Sequence, residues 1–357
     1  MENINKKNDY FKERNAKNQR QIMHNLSTLP YFCYEFIAGI ENRTTPLTRL
    51  GYTQDLKIFF DFLTHECENF IEISAHDLTL DDLAKLSMTD LELFLNYLSS
   101  YDKNDKNHQN GATSKARKLC AVRSLLKYFY KKDKLPQNVS TKIDTPKIRD
   151  KEIIRLEVDE VVKLLNNAES PEGFSKRQNS YNRLTKKRDV AILTLLLGTG
   201  IRVSECVGIN IDDIDFDTNG FKITRKGGNQ VILYFSDEVA DALKDYLEER
   251  LNNENVAPNE NALFLSLQNK RIGVRAVEQL VKKYASGSVP LKHITPHKLR
   301  STYGTNLYRQ TGDIYIVADV LGHRDVNTTK KHYAAISEDA RKSVANIVKL
   351  RDKDEKI

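Results

Sequence analysis

A chain of 357 residues, 39% of them hydrophobic and 29% charged, holds apolar material for two or more cores and is too rich in it for general disorder. Its 56 Lys and Arg against 49 Asp and Glu leave a formal charge of +7, which favours a polyanionic partner over an acidic one without requiring either. The longest apolar run, Val190 to Leu197, is too short to cross a bilayer, and the polar start MENINKKNDYFKERNAKNQRQ lacks the apolar core of a signal peptide. The expectation is a cytoplasmic protein with no membrane contact. Cys33, Cys67, Cys120 and Cys206 form no CxxC pair and sit among apolar neighbours, so they read as free, reduced core thiols.

Residues 1–27 read as a charged tail, weakly helical at most. From 28 to 134 the apolar period is helical throughout. PLTRLGYTQDLKIFFDFL sets Tyr52, Leu56, Phe59, Phe60 and Leu63 on one stripe, with Pro46 in the first turn and Thr44 or Thr45 as cap. GATSKARKLCAVRSLLKYFYKK turns Leu119, Val122, Leu126 and Phe129 inward and leaves Lys115, Arg117, Lys118 and Arg123 on or beside the outer face. Taken alone, those four suit an ordinary solvated helix face. LPQNVSTKIDTPKIRDKE, residues 135–152, carries two prolines and many charges with no apolar period, and reads as the linker between domains.

Residues 153–357 mix element types. Helical patterns cover about 157–168 and 185–198, with 169–185 read as an inserted loop. FKITRKGGNQVILYF reads as two strands about a Lys-Gly-Gly-Asn turn. Helices resume at about 237–252, 273–285, 296–310, 313–320, 326–335 and 337–350. The fold class expected is mainly α with a small β-sheet, in two domains.

Four segments of this half carry polar residues that a plain helical core does not need. LLLGTGIRVSE ends a helix at Gly198 and Gly200 and offers Arg202 at the start of the next; TRKGGN puts Lys226 on a hairpin tip. TPHKLRSTYGTNLY sets His297 and Arg300 on one helix face, behind a Thr295-Pro296 start, and LGHRDVNTTKKHY supplies His323 and Tyr333. Each has an ordinary reading as a surface ion pair, a turn lysine, a cap or a packed tyrosine. Together they form the set that cleaves a phosphodiester without a metal. Two guanidiniums fork onto the non-bridging oxygens, a lysine protonates the departing oxygen, and a phenol activated by its surroundings attacks phosphorus. No Asp/Glu cluster has metal-ligand spacing, so no metal or other cofactor is expected.

These segments resemble the signature boxes of the tyrosine recombinases, the family of Xer recombinases and of phage and transposon integrases. GTGIRVSE is similar to the first-arginine box, HKLR to the His-x-x-Arg box, and LGHRDVNTTKKHY to the second-histidine and nucleophile box, in family order across most of 150–340. Upstream, TRLGYTQDLKIFFDFL resembles part of the family's core-binding domain. The resemblance implies that Arg202 and Arg300 hold the scissile phosphate, with Glu205 in support. Lys226 would be the general acid, His297 would assist proton transfer, and His323 would hydrogen-bond a phosphate oxygen. Tyr333 would form a 3′-phosphotyrosyl link that a 5′-hydroxyl later reseals without ATP. It further implies a C-shaped clamp of two domains around double-stranded DNA, with Lys115, Arg117, Lys118 and Arg123 on phosphates. A homotetramer on two sites follows, in which SEDARKSVANIVKL docks on a neighbour or packs at home, with room for a regulatory protein partner. Ser301 stands where many relatives carry histidine, the His323–Tyr333 gap is long for the family, and 169–185 is an insertion. With no further N-terminal domain in view, Xer-like resolution of chromosome or plasmid dimers is the favoured role; a mobile-element integrase and a non-catalytic DNA-binding relative are the alternatives.

Overall fold

A computed structural model of the chain describes residues 9–103, 105–148, 154–171, 176–225, 228–323 and 325–326. The chain divides into two compact units, Met1–Lys151 and Glu152–Ile357.

The first unit is built from α1 (Asp9–Leu26), α2 (Phe32–Gly39), α3 (Pro46–Glu66), α4 (Leu80–Ala84), α5 (Met88–Tyr97), the hairpin β1 (Ser100–Lys103) and β2 (Lys106–Gln109), and α6 (Ala112–Tyr130). Local chemistry sets the helix starts. Thr45 caps α3 by accepting from the Thr48 amide, with Pro46 in the first turn. Thr79 with Asp82, and Ser87 with Asp90, form reciprocal capping boxes on α4 and α5. Phe36, Leu56, Phe59, Phe94, Leu119, Val122 and Phe129 are fully buried and knit α2, α3, α5 and α6 into one core.

Three expectations are corrected here. The supposed tail is the helix α1: Ile22 and Leu26, one turn apart, enter the core, and Asn25 Nδ2 donates to Thr53 Oγ1 at 2.9 Å. Its charged outer face hides an apolar stripe only one residue wide. The hairpin β1–β2 interrupts the helical run, with Asp105 at positive φ in its turn. Its sequence does not alternate in hydrophobicity, and Tyr101 is the member that is buried. The first half of the supposed linker is anchored as well: Leu135, Val139 and Ile143 are buried in this core around a 3-10 turn capped by Asn138.

The second unit runs α7 (Val158–Glu169), α8 (Lys176–Arg183), α9 (Lys186–Thr199), α10 (Val203–Cys206), β3 (Ile214–Asp215), β4 (Gly220–Thr224), β5 (Gln230–Tyr234), α11 (Asp237–Leu251), α12 (Val274–Ser288), α13 (Pro296–Thr311) and α14 (Ile314–Leu321). The three strands form one antiparallel sheet in the order β3-β4-β5, with Phe221 opposite Leu233 and Ile223 opposite Val231. Ala191, Ile192, Leu193, Leu195 and Leu196 are buried around the whole circumference of α9, which α7, α11 and α13 surround. The segment expected as an inserted loop contains α8. A buried polar hub ties α8 to the core: Tyr284 Oη on α12 lies 2.6 Å from Asn182 Oδ1 and 2.9 Å from Asp189 Oδ2. The helices expected at 326–335 and 337–350 lie outside the described residues, but for Val326.

Candidate active site

The site grows out of three helix ends. At the first, α9 stops at Gly200, which takes the left-handed conformation with φ +62 that a side chain disfavours. A Cβ here would also run into the Tyr303 ring and the Leu321 side chain, so the glycine permits α9, α13 and α14 to close on one point. Arg202 follows as the N-cap of α10. Glu205, buried, accepts from the Arg202 amide at 2.7 Å and from its Nη1 at 2.9 Å, so one carboxylate fixes both the backbone and the guanidinium.

At the second, Thr295 and Pro296 begin α13. His297 lies exposed in the first turn, while Arg300, one turn on, is only 6% exposed. Ser301, at the departure from the family pattern, donates to the His297 carbonyl within its own helix.

At the third, α14 ends in a Schellman turn. Gly322 is left-handed; its amide bonds to Asp319 O at 2.8 Å, and the His323 amide to Ala318 O at 2.9 Å. The Leu-Gly-His triplet is thus a helix stop that sets His323 just beyond the end.

Carbonyls of that end also meet guanidiniums. Arg225 donates to Asp319 O and, at 2.9 Å, to Val320 O. Arg300 Nη2 donates to Leu321 O and its Nη1 to Gly200 O at 2.7 Å, and Arg202 Nη2 reaches Gly322 O at 3.3 Å. A helix C-terminus carries partial negative charge, and these cations neutralise it. Arg202 is also ion-paired with Glu205. Guanidiniums gathered on one helix end suit an anion such as a phosphodiester. The structure therefore brings together Arg202, Glu205, Arg300 and the backbone of His323, with His297 one turn from Arg300. Lys226 and Tyr333 lie outside the described residues. Sequence reasoning missed Arg225, which reads there as one more hairpin cation. Among the described residues no cluster of His, Cys, Asp and Glu has the makings of a metal site, and no helix is long and apolar enough to cross a membrane.

The basic residues of α6 divide differently from the expectation. Lys118 is buried, with Nζ on Asn110 Oδ1 at 2.8 Å, which corrects its placement at the outer face. Arg117 is exposed but forked onto the buried Asp55. Arg123 spends its donors on Thr145 and the carbonyls of Ser140 and Ile143, and Lys115 bonds Ser99 Oγ. One turn further along α6, Lys127 and Lys131 join Arg43, Ser124 and Tyr128 about a concavity of roughly 450 Å³. Cys120 is exposed beside Ser124, not in the core; Cys33, Cys67 and Cys206 are buried, and burial pushes the thiols of Cys67 and Cys206 up to about 11 and 12.

Comparison with known proteins shows the family and the fold. The model of the phage integrase family matches residues 154–339. The tyrosine recombinase XerC of Caldanaerobacter subterraneus subsp. tengcongensis is 34% identical over 295 residues, which cover 80% of this chain and 77% of that one. The tyrosine recombinase XerS of Streptococcus thermophilus is 29% identical over 344 residues, covering 90% and 96%. Among solved structures, the XerH site-specific recombinase bound to palindromic difH substrate shares the fold with a TM-score of 0.62 at 16% identity, covering 92% of this chain and 94% of that one. A lambda integrase dimer bound to a COC′ core site gives 0.58 at 16% identity, covering 84% and 96%. With four segments in family order, a family model over just more than half of the chain and a relative this similar across four fifths of it, the chain belongs to the phage integrase family and is a tyrosine recombinase of the Xer type.

Proposed function

We propose that the chain cuts and rejoins double-stranded DNA at a specific site, with the scissile phosphate bound by Arg202 and Arg300. The observation that carries this reading is the convergence of both guanidiniums on the end of α14, beside the turn that bears His323. In the proposed step the Tyr333 oxygen bonds to phosphorus, the bond from phosphorus to the 5′-oxygen breaks, and Lys226 gives that oxygen its proton. His297 takes part in moving the tyrosine's proton, and His323 donates to a non-bridging oxygen. The arginines neutralise charge that grows on the phosphoryl oxygens, and Glu205 keeps Arg202 aimed. Because the phosphotyrosyl ester keeps the energy of the phosphodiester, attack by a partner strand's 5′-hydroxyl reverses the step without ATP.

The relatives named XerC and XerS support an Xer-like role, which we propose is the resolution of chromosome or plasmid dimers in the cytoplasm by four copies of the chain on two DNA sites. A lambda integrase tetramer bound to a Holliday junction shares the fold, which supports the same stoichiometry here. The face of α6 with Lys127, Lys131 and Arg43 is proposed as a phosphate-contacting surface of the first unit.

Covalent trapping tests the reading. Wild type and Tyr333→Phe are incubated, without added metal, with nicked duplexes carrying candidate chromosomal recombination sites. An SDS-resistant adduct with wild type that Tyr333→Phe loses, while still binding DNA, is the expected result. DNA binding with no adduct on any candidate site would leave a non-catalytic DNA-binding protein.

A further inference from the structure

We infer that Arg225 is a positioning residue for strand cleavage: it ties the end of β4 to the end of α14 and so sets the carbonyls that hold Arg202 and Arg300 against the phosphate. The inference rests on the phosphate-binding role proposed for those two arginines. Arg225 reaches across almost a hundred positions of sequence to Asp319 O, 3.2 Å from both Nη1 and Nη2, and to Val320 O at 2.9 Å. Its guanidinium fills the space a Cβ on residue 322 would take, so Gly322 is demanded both by its φ of +62 and by this arginine.

The same residue closes the base of the β4–β5 hairpin. Its amide bonds to Asn229 O at 2.8 Å, and its carbonyl accepts from the Gly228 amide at 3.0 Å. Lys226 is the next residue in the chain, so the strand that leads to the lysine and the turn that presents His323 are fastened through one side chain.

Two features separate this from routine helix capping. Arg225 has no ion pair among the described residues, and its Nε is buried with no hydrogen-bond partner there. A cation held this way is poorly compensated and adds positive potential where an anion is to bind. Its contacts also interleave with those of the proposed phosphate arginines, on four consecutive carbonyls from Asp319 to Gly322. Shifting the end of α14 moves the acceptors of Arg202 and Arg300 with it.

The test compares wild type, Arg225→Ala and Arg225→Lys in single-turnover cleavage of two nicked duplexes. One has an ordinary scissile phosphate. The other carries a methylphosphonate there, which has no charge and so makes little demand on well-placed guanidiniums. Arg225→Ala is expected to cleave the charged substrate about 10²-fold more slowly with DNA affinity held within a few-fold, and to recover at least tenfold of that deficit on the neutral one. Arg225→Lys, which keeps the charge and loses the fork, is expected to fall between. A deficit equal on both substrates, or none, overturns the inference; if Arg225→Ala does not fold, Arg225→Lys is read by the same comparison. Wild type and Tyr333→Phe run alongside: a Tyr333-dependent wild-type adduct keeps the reading of the site whatever Arg225 does, and its absence overturns both.

Discussion

Arg300 donates from Nη1 to the carbonyl oxygen of Gly200 across 2.7 Å, joining α13 to the end of α9 over a hundred positions of sequence. The bond exists because residue 200 has no side chain. Its φ of +62 presents the carbonyl, and the Tyr303 ring lies where a Cβ would be. Gly200→Ala is therefore expected to cost about 1–3 kcal/mol of stability from backbone strain alone, to push the Tyr303 ring aside, and to slow cleavage by more than tenfold. Gly273→Ala is the control: that glycine, the N-cap of α12, has an ordinary φ and open space around it, so the change should cost only the modest stability of a weaker cap and leave cleavage unchanged. Equal behaviour of the two variants would sink the account of Gly200.

Glu205 offers a second, separable test. Its buried carboxylate accepts from both the amide and the guanidinium of Arg202. Glu205→Gln keeps an acceptor for one of these and loses the charge; Glu205→Ala loses both and leaves α10 without its capping box. Cleavage is expected to fall about tenfold in the first and about 10²-fold in the second, as misplacement of a catalytic group by an ångström does. Site binding measured by gel shift should stay within a few-fold. A Glu205→Ala variant that cleaves at the wild-type rate would remove Glu205 from the site.

On the first unit the structure separates cations that hold the fold from cations that face solvent. Arg123→Ala should lower thermal stability, because it strands the carbonyls of Ser140 and Ile143, and should leave the salt dependence of DNA binding unchanged. Lys127→Ala and Lys131→Ala should do the reverse, each reducing the slope of log affinity against log salt by about 1. Cys120 gives a direct readout, since it is exposed on the same helix and lines the neighbouring concavity with Arg123 and Lys127. Duplex DNA should protect it from a maleimide. Unchanged alkylation in the presence of saturating DNA would count against this face.

Most of this architecture is legible in the chain because its signals are local. Thr45-Pro46, Gly200, Thr295-Pro296 and Leu-Gly-His each mark a helix boundary through chemistry confined to a few residues, and those boundaries lie where the structure has them. What escaped was set by distant partners. Lys118 looks like a surface residue until α3 brings Asp55 beside it, although its acceptors Asn110 and Ser114 are local, and α1 looks like a tail until α3 covers Ile22 and Leu26. The β1–β2 hairpin has no hydrophobic alternation to announce it. Arg225 was invisible for the same reason: its acceptors are backbone carbonyls almost a hundred residues away, and a carbonyl leaves no mark in sequence.

The buried hub around Asp189 carries a pH signature. Tyr284 Oη lies 2.9 Å from Asp189 Oδ2 and 2.6 Å from Asn182 Oδ1, and Lys283 Nζ is 2.8 Å from the phenol. Asp189 also accepts from Thr185 Oγ1 at 3.1 Å and from Arg188 Nη2 at 2.7 Å. Burial first, and then the negative charge of Asp189, hold the Tyr284 phenol far above its ordinary value of 10. A group whose folded pKa is raised supports the fold fully below its unfolded pKa and loses that support as pH climbs toward the folded value. Wild-type stability should therefore decline from about pH 10 upward. Tyr284→Phe should cost about 1–3 kcal/mol at pH 8 by removing the one phenolic donor that Asp189 and Asn182 share. Tyr246 and Tyr303 are also raised by burial and remain in the variant, so the informative quantity is the gap between the two proteins. Urea midpoints measured from pH 8 to 11 should show that gap narrowing above pH 10; curves that stay parallel would mean that Tyr284 does not titrate against Asp189.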